Sequence, residues 1–440
     1  MLMTEASFAR KPFWIALLLM LGAPVQGAPV PRRDAYAGLA PRQVAGSGAA
    51  AEGIEGKVLC GYQGWFRAEG DGSGLGFTHY QRAGKFEPGF CSIDLWPDLT
   101  GFDPDELYAT PFVFPDGSPA PVFSSLHPKT VDRHHRWMRE HGIDGAFVQR
   151  FAVHGAKPHT DFAGLAADNR KLQLCREAAN AHGRCWALMY DLSGLASADF
   201  ERLAADWKEL RTRMQLGTDP NDTSYLRHRG KPLVAVWGIG FNDGRSYSLE
   251  DCEWFLRLLK QNPDWGGMSL MVGVPYGWRT LDRDCAPDPR LHEVLKLADI
   301  ISPWSVGRYG QIAEVDAIAA PNLRQDLDWC AGRGISYLPV VFPGFSWHNL
   351  RGGEAPLNAI PRQGGRFLWK QFTTIKGAGA KGAFVAMFDE IDEATAILPC
   401  RNVPPVGASP FVSYEGVPGD HYLWLCGQGG RLLRDELPLR

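Results

Sequence analysis

The chain has 440 residues, 45% of them hydrophobic, and a formal net charge of −3. That length holds one large barrel or two medium domains. No basic tract or repeated basic-aromatic pattern occurs, which argues against nucleic acid as a partner.

Arg10 and Lys11 precede an apolar stretch at residues 13–23, and Val25-Gln26-Gly27 places compact residues before a cut. This pattern predicts a signal peptide over residues 1–27 and a secreted or periplasmic protein. The stretch is short for a membrane span, so no membrane attachment is expected after cleavage. Residues 28–54 are rich in Ala, Gly and Pro and read as a flexible arm. The remainder, residues 55–440, reads as one catalytic domain.

Within it, short apolar runs alternate with amphipathic stretches, the pattern of βα units. Strands are predicted at residues 57–61, 145–151, 185–190, 232–237, 268–274, 300–304, 337–342 and 383–388. Helices are predicted at 130–141, 166–182, 196–214, 249–260, 290–297, 312–332 and 365–376, with a last one at 421–436. Eight strands with helices between them predict a (β/α)8 barrel, the TIM-barrel class of α/β fold. A doubly wound sheet is the rival, but its phosphate-type first turn is absent. Residues 67–128 form a long insertion after the first strand, and such loops are often functional. Residues 399–418 form a Pro/Gly-rich tail.

Nine cysteines follow the predicted cut, and an odd number leaves at least one thiol unpaired. Cys400 with Cys426 is a candidate clasp; the alternative for the others is buried free thiols. No CxxC pair or tight Cys/His cluster suggests structural zinc, and no cofactor is expected. His134 and His135, on the first predicted helix, read as a solvated face.

Catalytic groups of such barrels lie where strands end and loops begin. Those positions hold Tyr62, Gln63 and Trp65, then Arg150, Asp191, Trp237, Tyr276 and Trp304, then Trp347 and His348. Aromatic faces stack on sugar C–H faces, and amides and carboxylates bond hydroxyls, so these read as substrate contacts. Arg150 is expected either to bind an acidic substituent or to hold Asp389 or Asp392.

The eighth predicted strand runs into Asp389-Glu390-Ile391-Asp392-Glu393. Four carboxylates in five residues repel one another at pH 7, which a chain accepts where a cation or a reaction uses the charge. Glu390 and Glu393 read as a catalytic pair, one protonating a leaving oxygen while the other assists at the anomeric carbon. Asp389 reads as a substrate contact. The alternative is that the acids decorate the first turn of a helix.

The segment Phe388-Asp389-Glu390-Ile391-Asp392-Glu393-Ala394-Thr395-Ala396-Ile397 resembles the F-N-E-W-H-E-G-T-x-I segment of glycoside hydrolase family 99, the endo-α-mannosidases. Tyr62-Gln63-Gly64-Trp65 is similar to that family's Y-x-x-W. With the H-x-R-W-M helix ahead of the second strand, the pattern looks like the bacterial family 71/99-like secreted proteins over about residues 57–398. The resemblance implies a (β/α)8 barrel and a retaining α-glycosidase that uses no metal. It implies that Glu390 assists the substrate's own 2-hydroxyl as internal nucleophile, and that Glu393 serves as general acid and then base. Asp389, Ile391, Asp392 and Ala394 replace the Asn, Trp, His and Gly of the motif, and the sugar and linkage stay open. A monomer acting on an α-linked oligo- or polysaccharide is expected. Two other readings stay open: a hydrolase whose carboxylates hold a divalent metal, and a non-catalytic glycan-binding barrel.

Overall fold

The computed structural model describes residues 28–439; the predicted signal peptide lies outside the described residues. Eight strand positions form one curled sheet. They are Val58–Tyr62, Gly145–Phe151, Cys185–Asp191, Lys231–Trp237, Ser269–Val274, Ile300–Pro303, a seventh in two pieces (Ser336–Tyr337 and Val340–Val341) and Ala383–Val385. Neighbours in this order pair in parallel, and the first strand pairs with the eighth. The first piece of the seventh strand pairs with the sixth and the second piece with the eighth, so the (β/α)8 ring closes through it. Pro339 stands between the pieces. It has no N–H for a ladder, but its carbonyl accepts the Phe384 N–H at 2.9 Å.

Helices follow the strands and cover the sheet, among them Ala163–His182, Phe200–Arg213, Leu249–Gln261 and Arg366–Gly377. Leu249–Gln261 starts with a capping box, in which the Ser248 hydroxyl accepts the Asp251 N–H and the Asp251 carboxylate accepts the Ser248 N–H. The predicted helix at 312–332 contains a π-helical turn, Val315–Ala319, before Ala320–Ala331. Among the described residues no helix is long and apolar enough to cross a membrane.

Strand side chains alternate, so each strand serves two layers. Leu59, Phe147, Ala187, Leu233, Met271 and Phe384 belong to the cluster that fills the barrel. Val58, Cys60, Tyr62, Val148 and Tyr190 pack in the layer between strands and helices.

Three expectations change here. Residues 28–54 are laid along the barrel rather than loose. Ala35, Tyr36 and Leu39 are buried, the Tyr36 hydroxyl donates to Asp206 at 2.5 Å, and the Gly53 N–H bonds Arg227 O at 2.8 Å. Cys400 and Cys426 do not form a clasp; all nine cysteines are buried free thiols. His134 and His135 are buried, not solvated, because that helix face packs on the barrel. Tyr62 OH satisfies His134 Nδ1 at 2.9 Å and Val131 O satisfies His135 Nδ1 at 2.9 Å.

Arg150 also departs from expectation. It follows Val148 into the strand–helix layer, where its guanidinium grips both oxygens of Asp206 (2.8 and 2.6 Å) and donates to Asn169 at 2.9 Å. It therefore holds neither Asp389 nor Asp392. Breaking a buried pair by removing one partner costs about 3–5 kcal/mol. Arg150→Met is expected to lose stability of that order in a urea titration, with Asp206 left buried and charged. A loss below about 1 kcal/mol would contradict this pairing.

Candidate active site

The eight barrel strands run parallel, so their C-terminal ends open on one face. The first and eighth strands are neighbours there, with Cys60 opposite Val385. The chain leaving the eighth strand therefore passes the chain leaving the first. Asp389 makes the junction: its oxygens accept the N–H groups of Gln63 (2.8 Å) and Gly64 (2.7 Å). The Gln63 side-chain amide donates to Glu390 Oε1 at 2.7 Å, and Thr395 Oγ1 donates to Glu390 Oε2 at 2.6 Å. Glu390 is thus held by both oxygens. Arg362, buried against the rings of Tyr414 and Tyr422, donates to the carbonyls of Ala394 and Ala396 at 2.7 Å each and fixes the return of the loop.

Asp392 is buried, with Oδ2 3.3 Å from His79 Nδ1 and Oδ1 without a protein partner. Glu393 is half-buried, and its backbone carbonyl accepts the Ser346 N–H at 2.9 Å. A fifth acid arrives from the insertion. Asp94 accepts the N–H groups of His348 (2.7 Å) and Asn349 (2.8 Å) and the Ser346 hydroxyl, while its own N–H bonds Ile391 O at 3.0 Å. The insertion thereby ties the loop after the seventh strand to the acidic loop after the eighth.

Burial raises the proton affinity of the whole group. It lifts Asp389 to about 6 against the pull of two N–H donors. Burial, then the charge of Asp392, raises Glu390. Burial raises Asp392, with Asp94 adding to it. Burial, then Glu390 and Asp392, pushes Glu393 well above the usual carboxylate range. Neighbouring acids in one dry site cannot all ionise together, so the cluster keeps protons near neutral pH.

The other predicted contacts divide by the alternation of the strands. Gln63 faces the mouth, as does Asp191, which accepts Gln149 Nε2 at 3.0 Å and the Ser193 N–H at 2.7 Å. Trp237 pairs with Asp191 across the third and fourth strands and packs on Trp304 (5.6 Å between ring centres), with Arg245 over its ring. Tyr276 packs near Tyr309 under Arg283. Trp347 and His348 are half-buried on the seventh loop, with Arg351 over the Trp347 ring and His348 Nδ1 donating to Ala355 O at 2.6 Å. Trp65 is half-buried, stacked on His79 at 3.9 Å and on Phe151 at 5.2 Å.

Three predicted substrate contacts are corrected. Tyr62 is wholly buried in the strand–helix layer, Arg150 is spent on Asp206, and Asp389 is wholly buried on two backbone amides. Sequence reasoning missed His79 and Asp94, and at the end of the second strand it chose Arg150 where its neighbour Gln149 faces the mouth. Among the described residues no group of three or more His, Cys, Asp or Glu side chains is arranged to hold a metal. A cavity of about 530 Å³ between residues 49–52 and 217–227 opens at the other end of the barrel, away from the acids.

No protein-family model matches the sequence, and no curated protein matches it. Solved structures match the fold. The endo-α-mannosidase of glycoside hydrolase family 99 from Bacteroides thetaiotaomicron aligns with a TM-score of 0.60 at 13% identity, over 87% of this chain and 99% of that one. A second structure of that enzyme gives 0.59 at 14% identity over the same shares. A glycoside hydrolase-like protein aligns at 0.51 and 12% identity, over 90% of this chain and 98% of that one. At these identities the likeness is one of fold. It bears out the (β/α)8 barrel and, at that level, the resemblance to family 99.

The raised affinity of Glu390 carries a stability consequence. The folded state holds this proton more tightly than the unfolded chain does. The contribution is full below the ordinary glutamate range and is lost as pH rises through the raised folded value. Glu390→Gln is expected to have nearly the wild-type melting temperature at pH 5 and a higher one at pH 9. A difference that does not change with pH would contradict the protonated cluster.

Proposed function

We propose that this protein is an exported glycoside hydrolase that cleaves α-linked glycans with Glu390 and Glu393. The observation that carries the reading is the placement of two acids, three residues apart, at the C-terminal mouth of the barrel, one fixed and one not. Glu390 is clamped by Gln63 and Thr395. A clamped carboxyl with a raised proton affinity is a base suited to work near neutral pH. Its role is to take the proton of the substrate's 2-hydroxyl as that oxygen attacks the anomeric carbon. Glu393, pushed well up by burial and by its acidic neighbours, keeps its proton at neutral pH. It donates that proton to the leaving oxygen and afterwards takes one from the water that opens the intermediate. The outcome is retention. The fold likeness to an endo-α-mannosidase supports the α-linkage, and the half-buried Trp304 and Trp347 are the rings assigned to sugar stacking.

A screen of polysaccharides and aryl α-glycosides, with the products followed by NMR for anomeric form, tests the reading. An α product from an α-linked substrate is expected, and a β product would contradict retention. Glu390→Gln and Glu393→Gln are each expected to lower kcat by about 10²–10⁴-fold. If both keep wild-type turnover, the assignment is wrong. The profile of kcat/KM against pH is expected to be bell-shaped, one limb for each acid. A flat profile would contradict two-acid chemistry.

A further inference from the structure

Under the site lies a charged group that the chemistry above does not use. Lys171, on the helix Ala163–His182, exposes 1% of its surface. A buried ammonium needs acceptors for its donors. Its Nζ donates to the backbone carbonyl of Gln149 at 2.6 Å and to that of Gln63 at 3.1 Å. Asp168 Oδ1 stands 3.9 Å away and is itself paired with Arg67 at 3.3 Å, while Asp168 Oδ2 meets His154 Nδ1 at 2.7 Å. Those two carbonyls belong to the residues whose side-chain amides reach the mouth from adjacent strands. Gln63 holds Glu390 and Gln149 holds Asp191. The Oε1 atoms of both amides are buried and lack a protein partner. Gly64 records how close the lysine stem runs: its φ is +55°, and a Cβ there would sit 2.4 Å from Lys171 Cδ. Arg67 donates to Gly64 O at 2.7 Å and completes the bracket.

We propose that Lys171 is a positioning residue that ties the ends of the first and second strands together and so sets, through Gln63 and Gln149, where Glu390 and Asp191 stand around a bound sugar. The catalytic readout of this inference rests on the glycosidase reading; its geometry does not. Lys171 works through two peptide carbonyls. It also works through its charge, which favours the ionised form of Asp389. The charged and titratable groups facing it are Asp168, Arg67, Cys175, Arg150, Asp389 and His79. Against burial, the charges of Lys171 and His154 hold Asp168 below the usual carboxylate range, so Asp168 stays ionised near neutral pH.

The test measures Lys171→Met, Lys171→Gln, Gln63→Ala and the Lys171→Met/Gln63→Ala double variant beside the wild type. On an aryl α-glycoside that the wild type cleaves, Lys171→Met is expected to lose about 10- to 100-fold in kcat with KM changed less than about threefold. The double variant is expected to be little worse than the worse single one, as for groups acting along one path. Urea midpoints from pH 5 to pH 8 read the same bracket without substrate, and the deficit of Lys171→Met is expected to widen with pH. Lys171→Gln keeps a donor and drops the charge, and it carries the same expectations if the methionine variant does not fold. Additive losses in the double variant or a stability deficit constant with pH would each overturn the proposal. A wild type inactive on every glycan would overturn the glycosidase reading instead, and the urea series then decides the bracket alone.

Discussion

Two backbone N–H groups, those of Gln63 and Gly64, meet the Asp389 carboxyl where the first and eighth strands come together. The rest of the site hangs from this junction. It fixes the start of the acidic loop and brings the Gln63 amide to Glu390. It also joins the two ends of the chain's barrel, more than 300 residues apart in sequence. Without donors of this kind, four acids in five residues would turn outward to water, where their charges cost little. With them, the run stays buried, and its like charges become a store of protons held near neutral pH.

Burying acids in this way is unfavourable for folding, and the surrounding structure offsets it with fixed donors. The insertion and the C-terminal tail do this as one cap, since Leu95 pairs with Val412, Pro97 with Cys400 and Val113 with Val406. From the cap, Asp94 ties the seventh-strand loop to the acidic loop, and His79 reaches Asp392. From the helix layer, Arg362 fixes the loop's return and Lys171 fixes the strand ends beneath it. The same cluster that suits acid–base chemistry therefore weakens the fold as pH rises, a trade that active sites commonly make.

The barrel was legible because its strands are short apolar runs set apart by amphipathic helices, although the seventh, expected unbroken over 337–342, is split at Pro339. The address of the acids was legible too, since a charged run directly after an apolar strand has one place to go in this fold. Which side chains face the mouth was not. Parallel strands buried on both faces read as unbroken apolar runs, so the alternation that sorts Gln63 from Tyr62 and Gln149 from Arg150 leaves no trace in hydropathy. Asp94 and His79 were hidden for another reason. They lie in an insertion with no periodicity, and their partners are more than 250 residues away. The segment around Tyr36 looked loose by composition, yet one phenol and a few apolar side chains suffice to dock it.

Glu390, buried, and Glu393, half-buried beside it, hold protons well above the range of ordinary glutamates because burial and the neighbouring acids disfavour their charged forms. Carbon-13 NMR of carboxyl-labelled glutamate, with Glu390→Gln and Glu393→Gln to assign the two resonances, measures this directly. Both midpoints are expected well above the free-glutamate value of about 4.3. Midpoints near that value for both residues would contradict the account.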